Sequence, residues 1–96
     1  MSAEIAVTDN PGARRYEIAL DGQRVGLATY RLAPGVITFV HTEVIPELEG
    51  QGLGGKLVRH ALDDARAREL AVRPLCPFVG AFIEDNPEYA DLVDDG

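Results

Sequence analysis

The stretch VIPELEGQGLGGKLVRHAL, residues 44 to 62, places four glycines within six positions (Gly50, Gly52, Gly54, Gly55) between an apolar extended segment and an amphipathic one. Glycine serves where the backbone must turn through positive φ or approach another group closely. Beyond the glycines, apolar residues fall at Leu53, Leu57, Val58, Ala61, Leu62 and Ala65, the spacing of one helical face. No Ser, Thr, Asp or Asn stands at the start of this helix, so its first N–H groups lack a side-chain cap. A strand, a glycine loop and an uncapped helix start are the parts of an anion site, since unpaired N–H donors and the helix dipole converge on the loop.

Three known uses of such a loop can be compared. Gly50, Gly52 and Gly55 fit a dinucleotide fingerprint, but that fold needs a larger parallel sheet, and Glu69 lies before the next strand rather than at its end. Gly50 to Lys56 fits a nucleoside-triphosphate loop up to its lysine, but Leu57 stands where a magnesium-binding Ser or Thr belongs. A structural loop with no ligand is the third reading, and the uncapped helix start weighs against it.

The 96 residues are enough for one domain, expected over 1–96. A chain that is 46% hydrophobic and 26% charged has ordinary globular composition. No apolar run approaches the ~20 residues of a membrane span, and MSAEIAVTDN has neither a basic start nor an apolar stretch, so a cytoplasmic location without membrane association is expected. The single cysteine, Cys76, forms no internal disulfide. A net charge of −7 argues against nucleic acid, whose phosphates need basic groups, and tolerates a cationic partner.

Arg14 to Leu20 alternates, with Tyr16, Ile18 and Leu20 on one face, and reads as a half-buried strand. Asp21 to Gln23 makes a hairpin turn, after which Val25, Leu27 and Thr29 continue the alternation. Ala33 to Gly35 turns into a third strand, Val36 to Val44, and a weaker strand is expected near Glu4 to Val7. Arg59 with Asp63, and Asp64 with Arg68, are spaced for ion pairs on the exposed helix face. Leu70 to Leu75 reads as a short strand parallel to the third, because a helix crosses between them. A last helix starts at Pro77, breaks around Asn86 and Pro87, and ends in a short turn. The expected class is α+β, layered, with a mostly antiparallel central sheet, a central helix after the glycine loop and a C-terminal helix.

HTEVIPELEGQGLGGKLVRHALDDARAREL resembles the acetyl-CoA segment of the GNAT acetyltransferase superfamily. The family pattern Arg/Gln-x-x-Gly-x-Gly/Ala falls on Glu49, Gly52 and Gly54, with Glu49 departing at the first position. Together, HTEV, EGQGLG, PLCPFV and NPEYADLV resemble the short YjdJ-like branch, over roughly Tyr16 to Val93. The resemblance implies a sheet in which the Val36 to Val44 strand and the strand after the helix splay around acetyl-CoA. Backbone groups around Val44 and Ile45 would meet the pantetheine and thioester, while Gln51, Gly52, Leu53, Gly54, Gly55 and Lys56 would line the pyrophosphate. No room exists between Leu20 and Val25 for the helices of longer relatives, which implies an open acceptor site. The implied activity is acetyl-CoA-dependent N-acetyl transfer to an amine, either a protein lysine or a small amine. The alternatives are a non-catalytic CoA-binding module and an acidic protein-interaction domain.

Such a transfer needs a neutral amine, a donor for the developing oxyanion and a proton for the departing thiolate. His41 and Glu43 lie two apart and share a strand face, expected to include Phe39, so His41 can accept a proton with Glu43 orienting it. Cys76 precedes Pro77 at a helix start, where it could protonate the leaving thiolate or accept the acetyl group. Tyr89 is an alternative acid or an anchor for the terminus, and His60 lies on the exposed helix face with no assigned role.

Overall fold

The computed structural model describes residues 4–94. Four strands, β1 (Ile5–Asn10), β2 (Arg15–Leu20), β3 (Gln23–Ala33) and β4 (Val36–Val44), form an antiparallel meander. A 3-10 turn (Pro46–Leu48) and the glycine loop lead into α1 (Leu53–Ala67), then β5 (Ala71–Pro74), α2 (Pro77–Asp85) and a second 3-10 segment (Pro87–Leu92). The sheet order is β1-β2-β3-β4-β5, with β5 parallel to β4 as the intervening helix requires. This is the expected layered α+β arrangement.

The core forms between one sheet face and α1. Tyr16, Ile18, Ala28, Tyr30, Ile37 and Phe39 from the sheet meet Leu57, Val58, Ala61, Leu62 and Ala65 from the helix, all buried. The 3.6-residue periodicity of α1 therefore runs unbroken from sequence to packing. Val79 and Ile83 of α2 and Tyr89 beyond it extend the same cluster.

Two β-bulges change what strand alternation predicts. On β3, Ala19 pairs with Arg24 and Ile18 with Gly26, so Val25 is an extra residue. The bulge shifts the parity of the strand: Ala28 and Tyr30 face the core, while Leu27 and Thr29, expected on the buried face, are half-exposed. On β4, Tyr30 pairs with Phe39 and Thr29 with His41, leaving Val40 as the extra residue. Phe39 is buried against the helices, so it does not share the face of His41 and Glu43 as expected; those two point outward with Val40. Thr42 and Val44 return to the helix side.

The strands β4 and β5 stay paired only from Val36–Ala71 to Phe39–Pro74. The Cys76 N–H donates to the Phe39 carbonyl at 2.9 Å, and there the strands part. Beyond that apex one edge of β4 is uncovered. The Ile45 N–H donates to Val25 at 2.9 Å, so the alternation of an antiparallel ladder aims the backbone groups of His41 and Glu43 at β3. The same alternation aims the N–H and C=O groups of Thr42 and Val44 into the opening.

The ion pairs on α1 are only partly those expected. Arg68 lies 3.4 Å from Asp64, as the spacing predicts. Arg59 instead turns to the C-terminal segment, bonding Asn86 at 2.9 Å, Tyr89 at 3.1 Å and Glu88 at 3.3 Å, and Asp63 accepts from the Tyr89 hydroxyl at 2.7 Å. A buried phenol and a carboxamide compete better for the guanidinium than an exposed neighbour on the same helix, where a pair gains only a few tenths of a kcal/mol, about 0.2 to 0.5.

Candidate functional site

The head of α1 is shaped by its glycines. Gly50 (φ 84°) and Gly52 (φ 79°) take the left-handed conformation, and Gly52 is the N-cap residue with no side-chain cap. The N–H groups of Gln51 through Gly55 find no acceptor among the described residues, and the first loop donor to close a helical turn is Lys56, to Gly52 at 3.1 Å. Five consecutive backbone donors thus stand open at the positive end of a 15-residue helix.

These donors open onto a cleft of about 440 Å³. Its walls are the end of β4 (Thr42, Glu43, Val44), Leu48 and Glu49 before the loop, Gly50 and Gly52 through Gly55, and Phe78 of α2. Of the expected residues, Glu43, Val44, Gly52, Leu53, Gly54 and Gly55 line it. Gln51 and Lys56 are exposed beside it on the loop and the first helical turn. Ile45 faces a second cleft of about 460 Å³ with Arg24, Leu27 and Pro46, and its own backbone is committed, the N–H to Val25 and the carbonyl to Leu48. Val44 therefore offers backbone groups to a ligand and Ile45 does not.

The candidate catalytic residues divide between two sides of β4. His41 Nε2 and Glu43 Oε2 are 2.9 Å apart, as their spacing predicts, and both side chains are 60% exposed on the outer face. Cys76 is on the helix side, only 3% exposed, and its thiol donates to the Thr42 hydroxyl at 3.4 Å. No acceptor for the Thr42 hydroxyl proton is found among the described residues, and Thr42 lines the cleft while Cys76 does not. A thiol–hydroxyl chain therefore ends at the cleft wall.

Tyr89 is an anchor. It is 4% exposed, its hydroxyl lies between Asp63 and Arg59, and Arg59 and Arg66 stand over its ring at 5.5 and 6.0 Å. Burial first, and then the Asp63 carboxylate, push its phenol above the usual range. Asp63 is nine residues along α1 from Gly54, on the order of 13 Å at 1.5 Å per residue, so this hydroxyl is remote from the loop. His60 is exposed, with its ring edge-on to Tyr16.

Thr42, Leu48 and Phe78 are site residues that alternation and motif reading miss. Thr42 turns inward only because of the bulge at Val40. Phe78 had a signal: it lies off the stripe of Val79 and Ile83 on a helix that buries little else, and so had to be exposed. Among the described residues no group of three His, Cys, Asp or Glu side chains is placed to hold a metal, and no helix is long and apolar enough to cross a membrane.

The profile of the GCN5-related N-acetyl-transferases matches residues 15–92. A GCN5-like protein of Staphylococcus aureus, solved by NMR, superposes with a TM-score of 0.71 at 26% identity, over 93% of this chain and 87% of that one. The ribosomal-protein-S18-alanine N-acetyltransferase of Escherichia coli superposes at 0.58 with 24% identity, over 62% of this chain and 40% of its own, a likeness of fold alone. In sequence, an aspartate/glutamate leucyltransferase of Marinobacter nauticus is 39% identical over 54 residues. That match takes in 56% of this chain and 23% of the leucyltransferase, so the chain spans well under half the length of that relative.

Proposed function

The chain belongs to the GCN5-related N-acetyltransferase family, and from that premise we propose that it transfers an acetyl group from acetyl-CoA to an amine. The observation that carries the reading is the row of open N–H donors from Gln51 to Gly55, heading a cleft that runs to the uncovered edge of β4. The residues present fit the coenzyme. The loop donors suit a pyrophosphate without help from a basic side chain, so the backbone site stands although Glu49 occupies the family's first motif position. Lys56 adds charge in the first turn. The free N–H and C=O groups of Thr42 and Val44 suit the amides of a pantetheine arm, and an N–H on this edge suits a developing oxyanion.

When bound, acetyl-CoA supplies an acetyl group activated as a thioester. His41 takes the proton of the incoming amine on the outer face, held by Glu43 at 2.9 Å. The Thr42 hydroxyl would give a proton toward the departing thiolate and take one from the Cys76 thiol behind it, and Cys76 would regain its proton from solvent through Thr42 once the coenzyme has left the cleft. Direct transfer is favoured over an acetylated cysteine, because Cys76 is 3% exposed and lies behind Thr42. The acceptor is a protein lysine or a small amine; the outer face of β4, bare around His41 and Glu43, admits either, and the acidic surface suits a cationic one.

Calorimetric titration of CoA and acetyl-CoA into the native protein and a Gly52→Asp variant tests this. Binding with Kd on the order of micromolar, lost in the variant, is expected, since the added carboxylate repels the anion at the N-cap. Binding without turnover on a panel of amines would leave a CoA-binding module. Absence of binding to the native protein would overturn the proposal in favour of an acidic interaction domain.

A further inference from the structure

Among the described residues Phe78 is the only aromatic one lining the cleft, and it is 45% exposed although Val79 beside it is fully buried. Its ring rests on the glycine loop. A Cβ added at Gly54 would stand 2.7 Å from the Phe78 Cζ, far inside van der Waals contact, whereas at Gly50 and Gly52 it would meet nothing within 4 Å. The glycines therefore have two distinct tasks. Gly50 and Gly52 supply positive φ; Gly54 makes room for an aromatic ring held against the helix head.

Around this ring the cleft wall is apolar, formed by Val44, Leu48 and Leu53. The open N–H donors of the loop lie at one end, and the unpaired backbone groups of Thr42 and Val44 line the side. A ligand matching this sequence of surfaces has an anionic group followed by a long arm of alternating amides and methylenes. Resting on the reading of the cleft as a coenzyme A site, we propose that Phe78 is a specificity-determining residue that packs against the pantetheine arm and so separates coenzyme A from adenine nucleotides carrying the same diphosphate. The loop donors meet a diphosphate in both ligands, esterified in coenzyme A and terminal in the nucleotide, and that contact does not involve Phe78. The aromatic wall gains contact only when the arm is present, so its removal is felt selectively.

The test is calorimetric titration with coenzyme A and with adenosine 3′-phosphate 5′-diphosphate, its nucleotide half. Phe78→Ala is expected to weaken coenzyme A by about tenfold, the usual cost of truncating an aromatic anchor, and the nucleotide by less than about twofold. Gly54→Ala displaces the ring and is expected to reproduce that selective loss, yet to add little in the Phe78→Ala background, because the two act through one contact. Should Phe78→Ala fail to fold by circular dichroism, Phe78→Leu carries the same comparison with a selective loss of about threefold. Unchanged affinity for coenzyme A, or equal losses for the two ligands, would overturn the role of Phe78 while leaving the proposed function intact. If the native protein bound neither ligand, both would fall.

Discussion

The two ends of α1 contrast in how their polar groups are spent. Among the described residues, five backbone donors at the N-terminal end have no acceptor, an aromatic ring is half-exposed, and one side of β4 is uncovered. Toward the C-terminal end nearly everything is paired. The Tyr16 hydroxyl donates to Asp64 at 2.5 Å, Tyr30 donates to Asp9 at 2.6 Å, and Arg68 lies 3.4 Å from Asp64 and 3.8 Å from Asp9. Among the described residues no buried side-chain N or O lacks a partner. One helix thus serves as scaffold at the end where its neighbours satisfy each other, and as a binding surface at the end where they do not. Groups left open on a folded surface are available to a ligand, and groups already paired are not.

The sharpest way to break the comparison is at the packed end. Leu62 is fully buried, and Leu62→Ala is expected to cost about 2 to 5 kcal/mol by urea denaturation. Coenzyme affinity per folded molecule should stay unchanged, because the loop geometry is local. A large affinity loss alongside a small stability loss would show that the two ends are not separate.

The converse prediction concerns the open end. His41→Ala, Cys76→Ala and Thr42→Val should each lower kcat at saturating acetyl-CoA, by about tenfold to a hundredfold, a range reaching the lower part of what acid–base groups usually supply. Their stability should change little for exposed His41 and more for buried Cys76. Full activity in all three variants would remove the proposed proton path, and a loss confined to KM would reassign the residue to binding.

A smaller effect is expected from Tyr16→Phe, about 1 kcal/mol in thermal denaturation, since Asp64 keeps Arg68 as a partner. A cost well beyond that would mean the network acts as a unit rather than as separate bonds.

The mildest test is pH, because its effect lies outside the ordinary range. Burial first, then Asp64, pushes the Tyr16 phenol well above its usual value, and burial first, then Asp9, pushes Tyr30 up to about 12. In the unfolded chain these phenols ionise near pH 10, while the folded protein keeps their protons. The folded state then binds more protons than the unfolded one, so stability falls as pH rises above about 10, the contribution of these groups being fully present and constant between about pH 6 and 9. Urea midpoints measured from about pH 8 to about 12 check the sign. A midpoint that rose above pH 10 would contradict the buried, hydrogen-bonded state of both phenols.

Much of this was legible in one chain because its signals are local. The span of β4 agrees with the strand expected from Val36 to Val44, α1 begins at Leu53, and α2 begins at Pro77 where proline favours a first helical residue. The parallel pairing of β5 followed from the helix before it. Less legible were the sides on which His41 and Cys76 would stand, the partner of Arg59, and the seat of Phe78.

What the sequence by itself determined is the order of the elements, the span of β4, the starts of α1 and α2 and the open N–H row at the loop, since periodicity, capping residues and the φ preferences of glycine and proline act within a few positions. By contrast β1, expected near Glu4 to Val7, runs from Ile5 to Asn10. Only the tertiary structure decided which side of the sheet each candidate faces. One extra residue at Val25 and another at Val40 reverse the parity of their strands, and a bulge is set by the register of two strands packing together rather than by the residues of either strand alone. The same holds for Gly54 and Phe78, which lie 24 positions apart in the chain and meet only when α2 packs across the head of α1.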